Sequence, residues 1–196
     1  MDEIGALYTK HAQRFDEARS RTLLEQSYLN AALSAMPPVS RVLDLGCGAG
    51  EPIARYFVER GHHVTGVDLA GPMIELCRRR MPEMTWIQAD MRGVQLSERF
   101  DLIVAWDSFF HLDQTGQRSM FTAFARHTAP RGLLLFTSGW SEGVAIGDLF
   151  GDELYHSSLN TSEYAQRLQE HGYGVRQHRV QDPVCDRTVW LAQREL

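Results

Sequence analysis

Two helical periods open the chain. Ile4, Leu7, Tyr8, His11 and Phe15 recur at helical spacing, and Leu23, Leu24, Tyr28, Leu29 and Leu33 repeat it. Met36-Pro37-Pro38 ends the second run, because proline bars its predecessor from the α region. From there the period alternates. Short apolar runs at Arg41–Leu45, His63–Val67, Thr85–Ala89 and Phe100–Ala105 predict strands, and Leu133–Thr137 predicts a fifth. Helical periods lie between them, from about Glu51 to Arg60, Pro72 to Arg80 and Gln114 to His127. Gly61 stops the first of these, and Pro130-Arg131-Gly132 turns the chain into the fifth strand. The 138–160 stretch shows no clear period and is expected to be irregular. Thr161 is expected to cap a helix reaching His171, and Tyr173–Val180 with Thr188–Ala192 reads as a closing hairpin. Strands alternating with helices predict a doubly wound α/β fold, a mainly parallel sheet covered on both faces.

Composition narrows the class. The 196 residues are 43% hydrophobic and 23% charged, a globular balance in a length that suits one domain. No apolar run approaches the length of a membrane span, and the acidic Met1-Asp2-Glu3 start does not resemble a signal peptide, so a cytoplasmic protein is expected. Acidic residues outnumber basic ones by 25 to 20, and the one dense basic run, Arg78-Arg79-Arg80, falls at a helix end where cations suit the dipole. A nucleic-acid partner is therefore not expected. Cys47, Cys77 and Cys185 are too dispersed for a zinc or redox pair, and the histidines form no ligand spacing, so no metal site is read.

The chemistry concentrates in Val42-Leu43-Asp44-Leu45-Gly46-Cys47-Gly48-Ala49-Gly50-Glu51. A strand that runs into a glycine turn and then a helix is where open α/β sheets bind ligands. Asp68 closes the second strand, where a carboxylate can accept both hydroxyls of a ribose. Two nucleoside ligands suit this pattern. A dinucleotide favours G-x-G-x-x-G, but Glu51 stands where its third glycine would fall, and Asp44 and Glu51 would repel a pyrophosphate. S-adenosylmethionine carries a sulfonium and an ammonium instead, and Asp44 attracts that cationic end.

VLDLGCGAG, followed by VTGVDLA and IQADM, resembles the class I S-adenosylmethionine-dependent methyltransferases, strongly over residues 40–137 and loosely beyond. The resemblance implies a Rossmann-like, seven-stranded sheet with an antiparallel last strand, and extra N-terminal helices. It implies that Gly46, Cys47 and Gly48 line the methionine and ribose through their backbone and that Asp68 holds the ribose. Leu69, Met73 and Met91 would lie against the adenine, Asp90 would accept its amino group, and the Trp106 carbonyl would meet the ammonium. Tyr8 would be the contact of an N-terminal lid.

Trp106-Asp107-Ser108-Phe109-Phe110-His111-Leu112 is similar to a stretch of glycine N-methyltransferase-like enzymes. His111 is the candidate base for an acceptor that must lose a proton, and Asp107 the candidate to orient it. Phe109, Phe110 and Trp140 are expected as water-excluding walls, with Tyr155 and His156 at the acceptor site. Thr137-Ser138-Gly139-Trp140 lacks the Asp-Asn pair of metal-dependent catechol enzymes, and no N-P-P-Y motif follows the fourth strand, against methylation of DNA bases or protein glutamine. The expected organisation is a helical lid (1–40), a cofactor core (41–137), a substrate-facing insertion (138–160) and a C-terminal helix with hairpin (161–196), monomeric or homodimeric, acting on a small molecule. A nicotinamide-dependent oxidoreductase and a non-catalytic cofactor-binding module are the rival readings.

Overall fold

The computed structural model describes residues 3–195. Two helices, α1 (Glu3–Ala18) and α2 (Gln26–Ser34), precede β1 (Arg41–Leu45). Then come α3 (Ile53–Val58), β2 (His63–Asp68), α4 (Gly71–Arg80), β3 (Thr85–Gln88), β4 (Phe100–Ala105), α5 (Gln114–His127) and β5 (Thr128–Ser138). The hairpin β6 (Gly143–Leu149) and β7 (Asp152–Ser158) follows, and α6 (Thr161–Glu170), β8 (Tyr173–Asp182) and β9 (Arg187–Arg194) complete the chain. Among the described residues no helix is long and apolar enough to cross a membrane.

Seven strands form one sheet in the order β3-β2-β1-β4-β5-β9-β8. The pairs from β3 to β5 are parallel, and β9 runs antiparallel to both β5 and β8. The order reverses direction beside β1, so the carboxyl ends of β1 and β4 diverge into a crevice. Alternation sorts the strand residues to two cores. Val42, Leu102 and Leu135 pack under α2 and α3 with Tyr28, Leu29 and Phe57. Leu43, Ile103 and Phe136 pack on the other face under α5 and α6 with Phe124 and Leu168. Burial on both faces is what makes these strands read as continuous apolar runs.

Four expectations are corrected. The 138–160 stretch holds the antiparallel hairpin β6–β7, paired from Gly143 with Ser158 to Leu149 with Asp152. Its strand period is muted because six of the seven β6 residues are exposed, so no apolar face marks it. Asn160, not Thr161, caps α6, its side chain accepting from the Glu163 N–H at 2.8 Å. Pro130-Arg131-Gly132 is not a turn before a strand but a bulge within β5: the ladder pairs Phe100 with Thr128 and then Leu102 with Leu133, and Arg131 takes up the slack at φ 61°. The first crossover helix is shorter than read, Ile53–Val58, because the chain from Gly50 to Pro52 is spent on the turn.

Candidate functional site

The loops at the carboxyl ends of β1 to β4 surround a cavity of about 270 Å³, closed over by α1 and the β6–β7 hairpin. The glycine turn after β1 is built for close approach. The Gly46 and Cys47 N–H groups both donate to the Val67 carbonyl, at 2.7 and 3.1 Å, folding the turn against β2. Gly46 sits at φ 75°, and a Cβ there would lie 2.2 Å from the Ser108 Cβ. Ser108 in turn donates to the Leu45 carbonyl at 2.6 Å, so the loops after β1 and β4 are locked together.

Asp68 joins the turn to β2. Its Oδ2 accepts the Gly48 N–H at 2.9 Å and its Oδ1 the Ala70 N–H at 2.8 Å. Burial raises its pKa, while these backbone donors pull it back down. Each oxygen keeps a further lone pair for a ligand. Asp44 differs. It is buried, lines the cavity, and has no side-chain hydrogen bond or ion pair among the described residues. Burial first, and the neighbouring Asp68 charge second, push its carboxyl up to about 7, with Arg19 opposing them. Asp90 is half-buried, and the Arg92 side chain grips it at 2.5 to 3.0 Å, which with burial opposing holds its pKa below the usual range.

The other side of the cavity is nearly neutral. His111 Nδ1 lies 2.9 Å from the Tyr155 carbonyl and must donate there, which leaves Nε2 to accept from the Tyr8 hydroxyl at 3.0 Å. Burial pushes His111 down to about 4, and burial also lowers His156. Phe110, His111 and His156 form a ring cluster with centroids 4.8 to 5.1 Å apart, beside Leu149 and Leu154. Asp107, at φ 49°, donates its N–H to Thr137 Oγ1, and its carboxylate pairs side-on with Arg187 Nε and Nη2 at 2.6 and 3.2 Å. Arg19 stands 3.6 Å from the same carboxylate.

The structure thus brings together Tyr8, Asp44, Gly46, Cys47, Gly48, Asp68, Leu69, Met73, Asp90, Met91, Trp106, Asp107, Phe110, His111 and His156 around one cavity. It leaves out three expected groups. Trp140 is 62% exposed at the surface. Tyr155 offers only its carbonyl, because its β7 neighbours Leu154 and His156 point inward and alternation turns its side chain the other way. Phe109 is not a wall but is fully buried among Phe121, Phe124 and Phe136. Sequence reasoning missed Leu149, Leu154 and Arg187. The alternation of Leu154 and His156 could have flagged a cavity-facing strand, but nothing near Arg187 in the chain points to Asp107, 80 positions away.

Residues 42–132, from β1 into the bulge of β5, match a family model described as a methyltransferase domain. The chain is 31% identical over 140 residues to dTDP-3-amino-3,4,6-trideoxy-alpha-D-glucopyranose N,N-dimethyltransferase of Streptomyces venezuelae, covering 70% of this chain and 59% of that one. It is 29% identical over 141 residues to a malonyl-[acyl-carrier protein] O-methyltransferase of Anoxybacillus flavithermus, covering 68% of this chain and 48% of the relative. The chain therefore spans only about half to three-fifths of these relatives' length. Among solved structures, CalS10, an amino pentose methyltransferase from Micromonospora echinaspora, superposes with a TM-score of 0.75 at 20% identity, over 94% of this chain and 96% of that one. Streptomyces venezuelae DesVI gives 0.74 at 18%, over 99% and 100%. The matched stretch carries the glycine turn, Asp44, Asp68 and Asp90 on the strand order described above, and on that ground the chain belongs to the class I S-adenosylmethionine-dependent methyltransferases.

Proposed function

We propose that the protein transfers a methyl group from S-adenosylmethionine to an oxygen or nitrogen of a small-molecule acceptor, without a metal. The observation that carries this reading is Asp44, a buried carboxyl that lines the cavity without a partner and is pushed up to about 7. An uncompensated acid in a low-dielectric site favours a cationic ligand and disfavours a pyrophosphate. When bound, S-adenosylmethionine supplies a methyl group on a cationic sulfur, which an acceptor lone pair displaces in line. Asp44 and the Trp106 carbonyl would hold the ammonium and Asp68 the ribose hydroxyls. Leu69, Met73 and Met91 would flank the adenine, with Asp90 near its amino group.

On the acceptor side, Phe110, Leu149, Leu154 and the two uncharged imidazoles exclude water from the transfer. Alignment within such a pocket supplies much of the acceleration of a displacement that needs no covalent enzyme intermediate. His111, bonded at both nitrogens, positions Tyr8 and β7 and accepts a proton only if Tyr8 yields its place. Asp107, committed to Arg187, is not free to ligate a metal, which supports the metal-independent reading. The names of the similar proteins, amino-sugar N-methyltransferases and an acyl-carrier O-methyltransferase, support a small acceptor and leave oxygen and nitrogen both open. A net charge of −5 argues against a phosphate polymer.

The test pairs binding with transfer. Calorimetry should show binding of S-adenosylmethionine and S-adenosylhomocysteine and not of NADH. Incubation with methyl-labelled cofactor and a fractionated extract should label a low-molecular-weight compound. Tight NADH binding in place of the cofactor sinks the reading, as does cofactor binding with no transfer to any fraction.

A further inference from the structure

His156 stands in the middle of β7, and the residues on either side of it are pinned. The Tyr155 carbonyl is held by His111 Nδ1 at 2.9 Å. Ser157 donates its hydroxyl to the Leu112 carbonyl at 2.7 Å, and its own carbonyl accepts from Gln117 Nε2 at 2.8 Å. The imidazole between them is half-buried and lines the cavity, its ring centroid 4.8 Å from that of His111 and 5.1 Å from that of Phe110. Gly147 on β6 makes room for it, since a Cβ there would come 3.0 Å from the His156 Cε1. The Leu154 carbonyl faces one ring nitrogen, which fixes the donor side of a neutral imidazole. The other nitrogen, with its lone pair, has no hydrogen-bond partner among the described residues.

The other polar groups in that half of the cavity are committed. His111 is bonded at both nitrogens. The Asp107 carboxylate is held side-on by Arg187, with Arg19 3.6 Å away. The hydroxyls of Tyr8 and Ser108 donate to His111 and to the Leu45 carbonyl, and a hydroxyl is no base near neutral pH. An open imidazole nitrogen on a rigid strand, among apolar walls, is the group left to meet an incoming O–H or N–H.

We propose that His156 is the catalytic base of the acceptor half, its open nitrogen receiving the hydrogen bond of the acceptor's O–H or N–H and taking that proton as the methyl group is transferred; this rests on the methyl-transfer reading above. The acceptor lone pair forms the new bond to the methyl carbon, the electron pair of the broken carbon–sulfur bond stays on sulfur, and the acceptor's proton passes to His156 and then to solvent. Positive charge leaves the sulfur as it appears on the imidazole, so the cavity never holds both cations. Burial disfavours the imidazolium, and Arg187 adds to this while Asp107 opposes it, so the ring is uncharged before transfer. His111, which faces it from the loop after β4, is likewise neutral and keeps the Tyr155 carbonyl, and with it β7, in place.

The test uses the full chain, methyl-labelled S-adenosylmethionine and the extract fraction that it labels, with calorimetric titration of S-adenosylhomocysteine alongside. His156→Ala should bind S-adenosylhomocysteine within about twofold of wild type, which also reports an intact fold, yet lower the maximal labelling rate by about a hundredfold, the usual worth of a positioned base. Added imidazole should restore part of that rate. His156→Gln keeps a hydrogen-bond acceptor but cannot take the proton, so its rate should stay low. The wild-type rate should fall with pH along a limb whose apparent pKa lies below the ordinary histidine value of 6.5, and the residual rate of His156→Gln should lack that limb. A His156→Ala rate within about threefold of wild type, or a loss that imidazole leaves unrestored, overturns the proposal. Weakened S-adenosylhomocysteine binding in both variants would place His156 in the cofactor half and overturn it as well. A wild type that binds S-adenosylhomocysteine but labels no fraction removes the transfer reading and this proposal with it.

Discussion

The hydroxyl of Tyr8 lies 3.0 Å from Nε2 of His111, so a side chain of α1 closes directly onto the loop after β4. The other imidazole nitrogen is bound to the Tyr155 carbonyl of β7. One ring therefore ties together α1, the β4 loop and the hairpin, and those bonds leave neither nitrogen free. With burial holding it at about 4, His111 is neutral throughout the physiological range, and its proton is fixed on Nδ1.

His111→Ala should accordingly lower turnover by about tenfold or less and leave the shape of the pH–rate profile between pH 6 and 8 unchanged. Loss of an ionisation in that window, with a fall beyond a hundredfold, would restore His111 as the general base. The linkage sign is definite. The unfolded chain takes up a proton near 6.5 that folded His111 refuses until about 4, so its contribution to stability declines as pH drops from 6.5 toward 4. Comparing melting curves of wild type and variant over that interval checks the sign.

Asp44 behaves in the opposite way. Its folded pKa of about 7 lies above the ordinary aspartate value of 3.8, so between the two the folded state holds a proton that the unfolded state has lost. Its effect on stability is neutral below 3.8, grows unfavourable as pH rises from 3.8 to about 7, and is constant above that. A cationic ligand favours the ionised form, so cofactor binding below pH 7 should release a proton and tighten as pH rises toward 7. Calorimetry at pH 6.5 in buffers of different ionisation enthalpy measures the release. Asp44→Asn should abolish it and weaken binding, yet raise the melting temperature of the free protein at pH 8. A variant that binds as well as wild type removes Asp44 from the site.

Gly46 and Gly48 should respond unequally to alanine. Both have positive φ, 75° and 53°, but a Cβ at Gly46 meets Ser108 at 2.2 Å, whereas one at Gly48 meets nothing within 4 Å. Gly48→Ala carries only the left-handed backbone cost of about 1–2 kcal/mol. Gly46→Ala adds the displacement of Ser108, for a total of about 3 kcal/mol, or a melting temperature lower by roughly 6–12 °C. Equal shifts for the two variants would contradict the packing of the β1 and β4 loops.

An ionic latch joins α1 to the hairpin. Lys10 Nζ and His11 Nε2 both lie 2.5 Å from Asp152 Oδ2 at the start of β7, and Arg14 covers the Phe150 ring at 4.2 Å. Asp152→Asn should loosen α1 from the hairpin, seen as faster amide exchange across Glu3–Ala18 with the sheet unaffected. In the parent protein the same exchange should quicken with salt, because the Lys10 arm of the latch is exposed. Unaltered exchange in the variant would show that apolar packing alone holds α1.

What was legible in the sequence lies between residues 42 and 107, and the reason is locality. Strand period, glycine turn and acidic strand end are each read within a few residues, and a doubly wound sheet brings successive strand ends to one edge whatever lies between them. That is why Asp44, Asp68 and Asp90 converge on the cavity as expected. The rest depended on which distant segment packs where. Phe109 and Phe110 are adjacent in sequence, yet one fills the α5–α6 core and the other lines the cavity. Six of the seven β6 residues are exposed, so the inward residues of the hairpin, Leu149 and Leu154, become apparent only once it is laid against the loop after β4. Arg187 reaches Asp107 because β9 inserts antiparallel beside β5, a topological fact with no local signal. The sequence by itself determined the fold class and the cofactor edge; only the tertiary structure decided which charges are paired, which imidazole nitrogen holds its proton, and which imidazole is left open. Pairing and burial depend on distances between residues remote in the chain, and those exist only once the sheet has formed.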